Sequence, residues 1–277
     1  MAVVLVAGCS SNNNSTVKLA YVAWDSEIAS TNVVKEVLET KLGMKVEMLQ
    51  VDAGPMWAGI ADGSADAMVA AWLPSTHASY VEKYGKDIED AGVNLDGTKT
   101  GLAVPAYMEI NSIEDLNNAE LAATLDKRII GIEPGGRNYD GYGKKALEAY
   151  GLSDYTLLES SSAAMAQELQ KAFDKNEPIV VTGWTPHWMF ANMDLKYLDD
   201  PKNVYGGAEQ IHTMVRKGLK EDMPDVHKFL SQFKWTAEDM EQVMVKIQGG
   251  QSPEEAAKDW VENNEAKVNE WMAGVSA

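Results

Sequence analysis

Cysteine is almost absent: Cys9 stands alone among 277 residues, so no internal disulfide can form and no multi-cysteine zinc site can be built. Basic charge is scarce as well. Against 42 acidic residues stand 24 basic ones, a formal net charge of -18, which repels a polyanion over most of the surface and argues against a nucleic-acid partner. That charge is silent about a small zwitterion, which responds to its local pocket. No apolar run is long enough to span a bilayer, and no fixed-period repeat is visible. The four histidines, His77, His187, His212 and His227, lack any HxxH or HExxH spacing, so no metal site is expected. A G-x-S-x-G elbow, a Walker loop and a Rossmann G-x-G-x-x-G are all missing, which removes the usual signs of an enzyme or of a nucleotide cofactor. The expectation is a non-enzyme that carries no cofactor.

What is present is a folded protein. With 45% hydrophobic and 24% charged residues, the chain can build one large unit or two lobes with real cores. At its start, Ala2 to Ala7 is apolar, Gly8 is small, and Cys9 opens a polar run from Ser10 to Thr16. Val6-Ala7-Gly8-Cys9 resembles a bacterial lipobox, in which the cysteine is diacylated and anchors the protein to a membrane. Residues 1-16 are therefore expected to be a truncated lipoprotein signal and tether, although only eight residues precede Cys9 and none is Lys or Arg.

Further along, strand and helix patterns alternate. Val17 to Trp24 reads as a strand, Ser26 to Leu42 as an amphipathic helix ended by Gly43, Lys45 to Val51 as a strand, Pro55 to Ala61 as a short helix and Ala65 to Leu73 as a strand, a βαβ progression that makes a parallel sheet. A second set follows: strand Arg128 to Ile132, helix Tyr139 to Tyr150, strand Tyr155 to Leu158, helix Ala163 to Phe173 and strand Ile179 to Thr182. The extended stretches Gly101 to Met108 and Ile211 to Arg216 lie between and after these sets and suit crossovers. Capping patterns at Ser112 to Asp115, Thr236 to Asp239 and Ser252 to Glu255 mark helix starts. The reading is α/β: two lobes joined by two crossover strands, with lobe 1 over 17-104, lobe 2 over 105-215 and C-terminal helices over 216-277 returning to lobe 1. A ligand is expected in the cleft between them.

Eight tryptophans are present, and a tryptophan is usually core. Trp57, Trp188, Trp235, Trp260 and Trp271 lie in helical or helix-flanking sequence and are expected to pack. Trp24, Trp72 and Trp184 differ, because each ends a strand and runs into Trp24-Asp25-Ser26, Trp72-Leu73-Pro74-Ser75 or Trp184-Thr185-Pro186-His187. Ligands bind outside the carboxyl ends of strands in open parallel sheets. Three indole faces there suit a quaternary ammonium, which has no N–H to donate. Gly131-Ile132-Glu133-Pro134-Gly135-Gly136 is a strand-to-loop junction whose backbone N–H groups could hold a carboxylate, and His77 follows Trp72 by five residues at the same strand end.

Four segments together carry a family resemblance: Tyr21-Val22-Ala23-Trp24-Asp25-Ser26-Glu27, Ala71-Trp72-Leu73-Pro74-Ser75-Thr76-His77, Ile130-Gly131-Ile132-Glu133-Pro134-Gly135 and Thr182-Gly183-Trp184-Thr185-Pro186-His187-Trp188. From about Val17 to the C-terminus, the chain resembles the OpuAC-type glycine betaine binding proteins of osmoprotectant ABC transporters. The resemblance implies a type II periplasmic-binding-protein fold that closes around its ligand. It also implies a trimethylammonium cage of Trp24, Trp72 and Trp184, carboxylate donors at the Gly131 and Ile132 backbone, and His77 completing that contact. Trp24, Trp72 and His77 then belong to one lobe and Gly131, Ile132 and Trp184 to the other. Glu133, beside the donors, is expected to face away from the ligand. The implied setting is extracytoplasmic: a monomer on a lipid anchor at Cys9, delivering glycine betaine or proline betaine to a permease subunit. A choline or carnitine receptor, a periplasmic hydrolase built on His77 or His187, and a purely structural lipoprotein are the competing readings.

Overall fold

The computed structural model describes residues 16–133 and 143–276. The first sheet is laid down by β1 (Thr16–Tyr21), β2 (Lys45–Gln50) and β3 (Ala67–Leu73), with helix α1 (Asp25–Leu42) and helix α2 (Ala53–Asp62) as the connecting crossovers. These three strands are parallel, in the order β2-β1-β3. Helix α3 (Ala78–Tyr84) then leads into β4 (Ile88–Pro105), a single strand of 18 residues that serves both sheets. Its first part, Ile88 to Thr98, pairs antiparallel with β9 (Glu209–Arg216), which in turn lies antiparallel to β3. Its second part, Lys99 to Ala103, pairs antiparallel with β7 (Val181–Thr185).

The second sheet continues from β7 through β5 (Arg128–Ile130) to β6 (Thr156–Leu158), parallel throughout, and β8 (Leu195–Tyr197) pairs with the end of β4. Short helices α4 (Ala119–Thr124) and α5 (Lys144–Ala149), the longer α6 (Ser162–Asp174) and short α7 (Trp188–Asn192) belong to this half. The chain returns to the first sheet between β8 and β9, and the rest is helical: α8 (Leu219–Asp222), α9 (Pro224–Gln232), α10 (Ala237–Gln248), α11 (Pro253–Asn263) and α12 (Glu265–Trp271).

Two crossings therefore join two lobes, but they lie elsewhere than the sequence patterns suggest. Residues 99-104, expected in lobe 1, pair in the second sheet, and residues 209-215, expected in lobe 2, pair in the first. The reason is physical: a strand belongs to the sheet that satisfies its N–H and C=O groups, and β4 changes partner in mid-strand, between Thr98 and Lys99. The early part of β4 escapes sequence reading altogether. Its register shifts at Asp90/Gly92, Val93/Leu95 and Asp96/Thr98 destroy the two-residue alternation on which strand recognition depends.

Local signals are obeyed closely. Gly43 ends α1 at φ 62°, the left-handed conformation that glycine adopts without a Cβ penalty. Thr236 with Asp239 and Ser252 with Glu255 form reciprocal capping boxes at α10 and α11, and Ser112 with Asp115 does the same on a 3-10 turn. Of the expected helix Tyr139 to Tyr150, only Lys144–Ala149 falls within the described residues as helix. Cys9 and nearly all of the expected tether lie outside the described residues, and Thr16 already opens β1.

The C-terminal helices pack on α1 and on β4, and α10 also meets α7. Their core is aromatic: Trp260 and Trp271 stack with centroids 5.6 Å apart, and Phe233 meets Trp271 edge-on at 4.9 Å. Phe229 and Phe233 are almost wholly buried beside Trp235. No helix among the described residues is long and apolar enough to cross a membrane. Removing the Phe229 ring leaves a cavity in this layer, so Phe229→Ala is expected to lower unfolding stability by about 3–5 kcal/mol. Urea denaturation measures it, and an unchanged midpoint would contradict the packing described.

Candidate ligand-binding site

The N-terminal turn of α1 enters the cleft between the lobes, and four consecutive side chains there make the contacts that define it. Trp24 caps the helix in an extended conformation, and its indole N–H donates to Glu133 Oε1 at the end of the second sheet. Asp25 accepts from Ser162 Oγ at 2.6 Å and from the Trp188 indole at 3.0 Å, and its Oδ2 lies 3.3 Å from His187 Nε2. Ser26 accepts the Trp184 indole N–H at 3.3 Å and donates its hydroxyl to Glu27. Glu27 Oε1 accepts the Trp72 indole N–H at 2.7 Å.

All three strand-end tryptophans thus hang by their indole nitrogens from carboxylates or from a hydroxyl bound to one, and all three are buried, at 5%, 2% and 3% exposure for Trp24, Trp72 and Trp184. Trp24 and Trp72 come from the lobe of the first sheet and Trp184 from that of the second. Glu133 does not face away from the site: it reaches across to Trp24 and accepts its buried indole N–H.

His77 is held by the turn that follows β3. The Trp72 backbone N–H donates to its Nδ1 at 3.0 Å, and the His77 N–H donates back to the Trp72 carbonyl at 2.9 Å. An Nδ1 that accepts leaves the proton on Nε2. Nε2 is buried and has no hydrogen-bond partner among the described residues. The ring lies parallel to Trp24 at 5.9 Å, with Trp57 edge-on at 5.5 Å and Tyr80 at 5.7 Å. Complete burial pushes the His77 pKa down to about 3, so the ring is neutral at physiological pH. Glu209, the first residue of β9, fixes the turn from beneath: its carboxylate accepts from the backbone N–H groups of Ser75 and Thr76, each at 2.7 Å, and from the Thr76 hydroxyl at 2.5 Å.

The second lobe repeats the motif. Trp184 meets His187 edge-on at 4.7 Å, His187 Nδ1 accepts the Met189 N–H at 3.2 Å, and both Leu73-Pro74 and Thr185-Pro186 are cis. Burial works to raise the Asp25 pKa, but His187, Ser162 and Trp188 outweigh it and bring it down to about 2, which keeps Asp25 ionised between the lobes.

The expected backbone donors divide. Gly131 spends its N–H on the Leu158 carbonyl at 2.9 Å, continuing the parallel ladder of β5 and β6, so the donor role expected of it is already filled. Ile132, one residue past the point where β5 pairs, is buried, and its N–H has no partner among the described residues. Among the described residues no group of His, Cys, Asp or Glu is placed to hold a metal ion. Asp25, Glu27 and Glu209 are the cleft contacts missed by sequence reading, and Glu133 was read with the opposite orientation. The acidic pair directly after Trp24 was the available signal for the first two.

The family model for the substrate-binding domain of ABC-type glycine betaine transport systems matches residues 15–263. The glycine betaine/carnitine transport binding protein GbuC of Listeria monocytogenes is 58% identical over 134 residues, which cover 48% of this chain and 45% of that relative. The chain therefore spans less than half of that relative's length. Lactococcal OpuAC, solved closed with glycine betaine, superposes with a TM-score of 0.87 at 46% identity, covering 93% of this chain and 99% of that one. A glycine betaine/L-proline-binding protein, ProX of Borrelia burgdorferi, gives 0.87 at 36% identity over 93% and 96%. A choline-binding protein solved with choline gives 0.84 at 30% identity over 94% and 92%. With a two-lobed fold, strand-end indoles in the cleft and a family model that spans nearly the whole length, the chain belongs to the OpuAC family of substrate-binding domains of ABC-type glycine betaine transport systems.

Proposed function

We propose that this chain is the extracytoplasmic substrate-binding subunit of an ABC importer and captures glycine betaine, with proline betaine as a second ligand, for osmoprotection. It acts by binding and release rather than by chemical turnover. Trp24, Trp72 and Trp184 box the trimethylammonium group, each face contributing roughly 0.5–2 kcal/mol. The ligand carboxylate lies against Ile132 N–H and the Nε2–H of His77, with Gly131 shaping the backbone beside them.

The observation that carries this reading is the pairing of three indoles drawn from both lobes with a buried, unpartnered His77 N–H. A cation box alone suits choline equally well, and the fold is shared with a choline-binding relative. Choline, however, offers that N–H only a neutral hydroxyl, a weaker acceptor than a carboxylate and one without the second oxygen that would serve Ile132 N–H. The donor therefore favours a betaine. Because the contacts come from both sides of the cleft, only the closed form makes them all. Cys9 as a lipid anchor, a permease subunit as the partner and a monomeric state complete the proposal.

Two outcomes follow. Trp72→Ala is expected to lower glycine betaine affinity at least about tenfold while the circular dichroism of the folded protein persists, and calorimetry showing full affinity would count against the cage. The intrinsic fluorescence of the wild type is expected to saturate with glycine betaine at far lower concentration than with choline, and His77→Ala is expected to narrow that gap. Equal affinities in the wild type would favour a choline receptor instead.

A further inference from the structure

Glu27 is a fully buried carboxylate with no basic partner: no Lys, Arg or His among the described residues lies within ion-pair distance of it. A buried charge is ordinarily paired or neutralised, because desolvation is too costly otherwise. Its two oxygens are instead occupied by the Trp72 indole N–H and the Ser26 hydroxyl, and that hydroxyl receives the Trp184 indole N–H. One acidic site therefore anchors two strand-end indoles, one from each lobe.

That arrangement has an electrostatic consequence. An indole whose N–H points at an anion is polarised so that its ring face becomes more negative. The carboxylate itself adds an attraction for a cation that falls slowly with distance in a dry site. Burial, opposed by the Ser26 and Trp72 hydrogen bonds, raises the Glu27 pKa to about 7, with Asp25 adding to the rise. The site holds a negative charge poorly on its own and well when a cation arrives.

We propose that Glu27 is the charge selector of this site: the buried counter-charge that the ligand's quaternary ammonium completes, and the residue that makes the box prefer a cation over a neutral group of the same shape. This rests on the cage reading above. A purely local role is the alternative, since an acidic residue in the first turn of a helix also stabilises its N-terminus.

Glycine betaine has a twin with an uncharged head group, the anion 3,3-dimethylbutanoate, in which a tert-butyl group replaces trimethylammonium and the carboxylate is kept. Both are titrated by calorimetry, with displacement for the weaker ligand, into the wild type and Glu27→Gln, an isostere that retains an acceptor for Trp72. The wild type is expected to prefer the cation strongly. In Glu27→Gln the ratio of the two affinities is expected to fall at least about tenfold, chiefly through loss of glycine betaine binding. A parallel loss for both ligands, or an unchanged ratio, would overturn the proposal and leave Glu27 a structural cap. If Glu27→Gln does not fold, Glu27→Asp serves: it keeps the charge, and a collapse of its ratio would equally overturn the proposal, while a ratio held at lower affinity supports it. A wild type that binds no betaine sinks the functional reading first, so the two failures are distinguishable.

Discussion

Four indole N–H groups around the cleft find acceptors through the first turn of α1, while those of Trp57, Trp235 and Trp260 lie buried with no partner among the described residues. Trp24 gives its own N–H to Glu133, Ser26 accepts from Trp184, Glu27 accepts from Trp72 and Asp25 accepts from Trp188. Three of these four contacts cross the cleft. The turn is part of one lobe by connectivity and of both by hydrogen bonding, so the site and the closed arrangement of the lobes depend on the same few groups. Losing any of them leaves a donor buried without a partner, which costs more than the bond itself contributes.

A second constraint comes from the return crossing. Glu209 opens β9 directly after the chain re-enters the first sheet, and its carboxylate organises the Ser75 to Thr76 turn that aims His77. The crossing strands are thus tied to the turn that carries His77 rather than being passive connectors. β4 and the segment before β9 are the two crossings between the sheets, and through Glu209 the His77 turn sits next to the second of them. Asp25 of the first lobe is held ionised by Ser162, His187 and Trp188 of the second, which adds a polar lock across the cleft.

How much of this the sequence reveals follows from the range of each interaction. Gly43, Ser252 with Glu255 and Thr236 with Asp239 act within a few residues, so helix ends are legible. Trp24, Trp72 and Trp184 are legible because a strand that runs into Asp-Ser, Pro-Ser or Pro-His places the aromatic residue there at or just past the strand's carboxyl end. Ile88 to Thr98 is not, because three register shifts erase its alternation and its partner β9 lies over a hundred residues away in sequence. The acceptors are the least legible part. Glu133 meets Trp24, and Glu27 becomes a common anchor for Trp72 and Trp184, only once the two lobes are set against each other, a geometry that no local pattern encodes. The Gly131 N–H fails as a donor for the same reason: its fate is decided by Leu158 on a neighbouring strand.

The most direct test is a crystal structure of the protein with glycine betaine. The account predicts the ligand nitrogen within about 6 Å of the ring centroids of Trp24, Trp72 and Trp184, with the carboxylate on His77 Nε2 and Ile132 N–H and Glu27 still bound to Trp72. A ligand held by one lobe alone, or one whose carboxylate points away from His77, would contradict it.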